Sequence, residues 1–143
     1  MAARRESRER ALQMLFLWDQ TRQSPENVMA GYWNGLLDAD LPSDERPAPK
    51  PSDPFANDLL CGAVSRVAES DRLIVAHAQN WRLERMSAVD RNILRLAVYE
   101  LLDNQAPVPV IIDEALEIAR RFSGEESVPF INGVLDAVRK ELA

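Results

Sequence analysis

The stretch SAVDRNILRLAVYELL, residues 87–102, decides the fold. Val89, Ile93, Leu94, Leu96, Ala97, Leu101 and Leu102 recur at helical spacing and wrap most of the circumference. A helix that is apolar nearly all round is central, so other helices must surround it. Ser87 and Asp90, three residues apart, give it a capping-box-like entry. Its few charges, Arg91, Arg95 and Glu100, have to reach exposed margins or partners.

The neighbouring segments also read as helices. Before it, Asp53–Pro54 starts a helix with Phe55, Leu59, Ala63 and Val67 on one stripe, where Gly62 allows another helix to come close. A further helix runs through Leu73, Ile74, Ala76 and Ala78 to Trp81. After it, VPVIIDEALEIARRF (108–122) places Ile111, Ala115, Ile118 and Phe122 on a stripe and stops at Ser123–Gly124. Ser127 and Pro129 start a last helix whose Phe130, Val134, Leu135, Val138 and Leu142 face inward. The string PVPVII (107–112) has strand propensity but no second strand to pair with. Nearer the N-terminus, Ser24–Pro25–Glu26 opens a helix carrying Val28, Tyr32 and Leu36. The first helix buries Ala11, Leu12, Leu15 and Trp18. The expectation is an all-α chain of about seven helices without a sheet. Residues 1–143 form one domain, and a proline-rich connector at about 41–54 has five prolines in 14 residues.

Composition narrows the function classes. The 143 residues suit a single hydrophobic core, and 46% apolar with 28% charged is ordinary for a globular chain. The lone Cys61 excludes an internal disulfide framework and fits a reducing, cytoplasmic setting. No apolar run is long enough to span a membrane, and Asp19 and Gln20 cut short the only candidate signal-peptide core. Catalytic residues are scarce. His77 and Cys61 are alone of their kinds, too few for a zinc site, and no phosphate-binding glycine loop occurs. The acid pairs Asp113–Glu114 and Glu125–Glu126 read as helix-start acids favoured by the dipole. No catalytic residue, cofactor or metal is expected.

The net charge of −6 is unevenly spread. Residues 1–18 hold Arg4, Arg5, Arg8 and Arg10 against Glu6 and Glu9, a local +2, and the remainder has 13 basic and 21 acidic groups, or −8. Continuing the first helix backwards puts Arg4 and Arg8 on its apolar stripe, where neither can be buried unpaired. The expectation is that the helix overhangs the core or begins later, leaving the arginines to a partner. Guanidinium forks grip phosphate, Phe16 supplies a stacking ring and Gln13 a base-edge amide; together they suit single-stranded RNA. The competing reading is a solvated face with local pairs, Arg4–Glu9 and Glu6–Arg10.

Four blocks in order carry a resemblance: RERALQMLF (8–16), FANDLLCGAV (55–64), WRLERMSAVDRNILRLAVYEL (81–101) and VIIDEALEIARRFSGEESVPFINGVLDAV (110–138). Together they resemble the bacterial transcription antitermination factor family NusB over nearly the whole chain. The resemblance implies two packed helical bundles, binding of boxA RNA together with the ribosomal protein NusE, and an indirect role at the RNA polymerase elongation complex in ribosomal RNA transcription. It implies neither catalysis nor a cofactor. Its RNA surface would include Arg4, Arg5, Arg8, Phe16, Asp90, Glu126, Ser127 and Phe130, with Arg10 compensating for Glu6, which stands where some relatives have a basic residue. Asn132 and Gly133 read as packing residues. Alternative readings are an accessory domain in ribosomal RNA modification and a purely structural helical module; monomer and homodimer are both open. On the RNA reading, Arg8→Glu keeps helicity and weakens RNA binding by more than about tenfold, ~1.4 kcal/mol.

Overall fold

The computed structural model describes residues 2–38, 53–78 and 82–143. Most of the 41–54 connector, together with Trp81, lies outside the described residues. Seven α-helices follow in order: α1 (Ala2–Thr21), α2 (Pro25–Asp38), α3 (Pro54–Ser65), α4 (Val67–His77), α5 (Ala88–Asp103), α6 (Val108–Phe122) and α7 (Ser127–Leu142). One 3₁₀ turn, Leu83–Arg85, precedes α5, and there is no strand among the described residues. PVPVII is therefore helical or leads into α6, with Pro107 just before the helix and Pro109 in its first turn, where a missing N–H costs nothing.

The starts follow their local chemistry. The Ser24 hydroxyl accepts from Asn27 N at 3.2 Å, and Asp53 accepts from Ala56 N at 3.1 Å ahead of Pro54. Ser87 accepts from Asp90 N at 3.1 Å. That capping box is half made, because the Asp90 carboxylate is engaged elsewhere. Asn104 closes α5 in the left-handed conformation, at φ 58°.

Helices α1, α2 and α3 pack into one bundle, and α4 to α7 into a second. Helix α5 belongs to the second but also packs on α1 and α3, which makes it the shared centre. Leu94, Val98, Ile93, Leu96, Ala97 and Leu101 are all buried there. Gly62 of α3 is the close approach between bundles: a Cβ built there would lie 2.1 Å from the Tyr99 ring. Gly133 has nothing within 4 Å and Asn132 is exposed, so the expected packing role of that pair is wrong. They face outward on α7. Ala76 is likewise exposed rather than on the buried stripe of α4.

The charges of α5 find partners as its burial demands. Asp19 of α1 accepts from Arg91 at 2.5 Å, Arg95 at 3.0 Å and Asn92 at 3.2 Å. Arg95 also forks onto Asp71 of α4 at 2.8 and 3.1 Å. Burial alone would raise the Asp19 carboxyl, but the hydrogen bonds from Arg91 and Arg95 bring it down to about 2. This network ties α1, α4 and α5, and so both bundles, at one polar joint.

Candidate nucleic-acid interface

The opening arginines are not a free cluster. Helix α1 runs from Ala2, and from Ser7 to Glu9 it is already buried against the fold rather than overhanging it. Arg8 is 4% exposed; its Nε and Nη2 donate to the two Glu100 oxygens of α5, each at 2.8 Å. The expectation that Arg8 stays available to a partner is therefore corrected. The apolar stripe does bury it, and its pairing with Glu100 of α5 makes that burial tolerable. Arg4 is exposed and stacks its guanidinium 3.9 Å from the centre of the Phe55 ring. Arg10 donates to Asp53 at 2.9 Å and approaches Glu6 at 3.8 Å. Asp53 thus caps α3 while holding Arg10 and the Ser7 hydroxyl, which donates at 2.6 Å. The Arg4–Glu9 pair does not form, because Glu9 is taken by Arg121.

Helices α1 and α6 both pack on α5 and are joined across it by long side chains. From α1 a stripe of Arg5, Glu9, Gln13 and Phe16 meets a stripe of Glu114, Arg121 and Phe122 from α6. Arg5 donates to both oxygens of Glu114, at 2.6 and 3.1 Å. Arg121 Nη1 returns the favour from α6, donating to Glu9 at 3.0 and 3.2 Å. Glu114 is therefore not a helix-start acid, since α6 begins six residues earlier at Val108. The Arg5 hydrogen bond holds its carboxyl below the ordinary range in spite of burial. In both pairs the acid lies low and the arginine high: side-chain exposure is 9% for Glu114 and 11% for Glu9, against 44% for Arg5 and 67% for Arg121. Beyond these straps the groove opens into an apolar hollow of about 380 Å³, lined by Leu12, Gln13, Phe16, Leu17, Tyr32, Val89 and Phe122. Phe16 and Leu17 are each more than a third exposed there. The Gln13 carbonyl accepts from the Tyr32 hydroxyl, which fixes which way its amide points.

Where α5 begins and α6 hands over to α7, Asp90 accepts from Ser123 at 2.5 Å and Ser127 at 3.0 Å. Both serines also bond each other at 2.8 Å. This ties the α6–α7 turn, including Gly124 at φ 140°, to the head of α5. Glu126 is exposed beside that turn, and Phe130 is half-buried against the core. The predicted site residues are thus dispersed: Arg5 meets Glu114 of α6, Arg4 and Arg10 sit at the start of α3, Arg8 is buried against Glu100, and Asp90, Glu126, Ser127 and Phe130 lie where α6 hands over to α7. Phe16 and Gln13 line the hollow. His77 bonds Glu141 at 2.7 Å, and no group of three or more possible metal ligands occurs among the described residues.

The NusB family pattern matches residues 5–140. The chain belongs to the NusB family. The transcription antitermination protein NusB of Solibacter usitatus is 56% identical over 142 residues, which is 99% of this chain and 92% of the relative. Among solved structures, the NusB of T. maritima superposes with a TM-score of 0.76 at 35% identity, covering 96% of this chain and 91% of that one. A structure of antitermination factors NusB and NusE in complex with dsRNA superposes at 0.77 with 25% identity, covering 99% and 98%.

Two features of this NusB-family chain escaped sequence reasoning. Arg121 reads as one of two basic residues near a helix C-terminus, a common dipole-favoured place. Only its ion pair with Glu9 of α1, made across α5, reveals it as a groove wall. Phe122 reads as core, yet it shares the open hollow with Phe16. Alternation of acids and arginines between the two stripes was the one available signal, and it needs the helix pairing to be seen.

Proposed function

We propose that this chain is a transcription antitermination factor that binds boxA RNA together with the ribosomal protein NusE, acting through that complex on RNA polymerase during ribosomal RNA transcription. One observation carries the reading: a member of the NusB family presents a groove with outward-facing guanidiniums at one end and, at the other, the exposed Phe16 ring beside the half-buried Phe122. Cationic backbone contacts followed by stacking surfaces are what single-stranded RNA requires. Arg5 and Arg4 supply the charge, Phe16 the ring and Gln13 a polar edge, while Asp90, Ser127, Glu126 and Phe130 shape the far end. Arg8 and Arg10 contribute by holding α1 in place. The chain works as one cytoplasmic binding domain with no catalytic residue or cofactor. Its acidic remainder, at −8, suits a basic ribosomal protein on another face.

The test is assembly: the chain, its cognate NusE and a short boxA RNA, offered separately and together, followed by size-exclusion chromatography and calorimetry. A ternary complex tighter than either binary one is expected, with single-stranded RNA preferred to duplex. Failure of RNA to join in the presence of NusE refutes the reading and leaves a structural helical module. The protein–protein step should weaken as salt rises; insensitivity to salt counts against the acidic-face component.

A further inference from the structure

We infer that Arg121 of α6 is a backbone-phosphate contact for the RNA strand, so that the strand is held between two walls, Arg5 on α1 and Arg121 opposite. The inference rests on the RNA-binding reading above and adds a residue and a geometry to it.

Helix α1 alone offers little free charge. Arg8 is spent on Glu100, Arg10 is shared with Asp53 and Glu6, and Arg4 lies flat on Phe55. That leaves Arg5 as the guanidinium of α1 at the groove edge, and its Nε and Nη2 are already engaged by Glu114. Arg121 makes up the deficit from the other side. Its partner Glu9 is nearly buried, and one nitrogen, Nη1, serves both carboxylate oxygens. Nε and Nη2 make no hydrogen bond among the described residues, so the ion pair orients the fork while its outer edge remains open. A fixed, half-used fork can add a bidentate phosphate contact without first ordering a mobile side chain.

Position favours the same role. Arg121 lies between the Arg5–Glu114 strap and the aromatic hollow, and its guanidinium is 5.4 Å from the Phe122 ring centre. Phe122 in turn lines the hollow with Phe16. A strand passing Arg5 meets Arg121 next and then reaches rings on which its bases can stack. The distance along α1 from Arg5 to Phe16 is about 16 Å at 1.5 Å per residue, room for a few nucleotides.

Fluorescence anisotropy with a short single-stranded boxA RNA, with NusE present and across a KCl series, tests this. Arg121→Gln should weaken binding about fivefold and make the log–log salt slope shallower by about 0.7, the loss of one phosphate contact on a single strand. Arg121→Lys should keep most of the slope. Arg139→Gln, a half-exposed arginine of α7 paired with Asp136, should change neither. If Arg121→Gln binds as wild type while Arg5→Gln binds weakly, the inference falls and the RNA reading stands. If wild type itself binds no RNA, both fall. Weaker binding by Arg121→Gln with an unchanged slope would assign the residue to helix packing, and the inference would fall.

Discussion

Arg8→Met removes the guanidinium that satisfies Glu100 in the middle of the fold. The pair is enclosed, with side-chain exposures of 5% and 9%, and both oxygens of Glu100 lose their donors at once. Taking one partner from a buried pair costs roughly 3–5 kcal/mol, because the remaining charge is left without compensation. At about 2–4 °C per kcal/mol for a chain near this size, the melting temperature should fall by roughly 6–20 °C. Arg8→Glu is worse still, since it sets a second carboxylate against Glu100, so the expectation that it would keep helicity and report on RNA contact does not survive the structure. The informative variant is Arg8→Met with Glu100→Leu, which exchanges the ion pair for apolar side chains. It should recover most of the lost stability, as buried pairs often break even against hydrophobic replacements. Thermal and urea unfolding followed by circular dichroism measure both. The same double variant should bind boxA RNA within about twofold of wild type. Wild-type stability in Arg8→Met, or a folded double variant that has lost RNA binding, would refute the assignment of Arg8 to the interior.

Gly62→Ala and Gly133→Ala make a matched pair on two helices. The first drives a Cβ to 2.1 Å from the Tyr99 ring and should destabilise by about 1–3 kcal/mol; the second meets open space and should stabilise by about 0.5–1 kcal/mol through helix propensity. Equal melting shifts would contradict the packing described at Gly62. For Asp19, the folded carboxyl sits at about 2, below its ordinary 3.8, so its contribution is complete above about pH 4 and is lost as pH falls toward 2. The contribution is about 2 kcal/mol at 1.36 kcal/mol per pH unit. Urea titrations of wild type and Asp19→Asn across that window should converge at the acid end, and a constant gap between them would speak against the Asp19 network.

Much of the architecture was determined by the sequence itself, because the physics involved is local. Ser24, Asp53 and Ser87 announce helix starts through hydrogen bonds that span three residues, and the all-round apolar pattern of 88–102 demands a central helix whatever surrounds it. Even the need for partners at Arg91, Arg95 and Glu100 follows from burial alone. The identity of those partners does not. Glu100 lies 92 positions from Arg8, Arg121 lies 112 from Glu9, and Glu114 lies 109 from Arg5. Charge pattern along the chain shows which groups need compensation, but only helix packing decides which group compensates which. Tertiary structure therefore turned a cluster of four arginines into one buried strut, one stacked cation, one helix brace and one groove edge. It also brought Arg121 across to the opposite wall, because α1 and α6 share α5 as their floor.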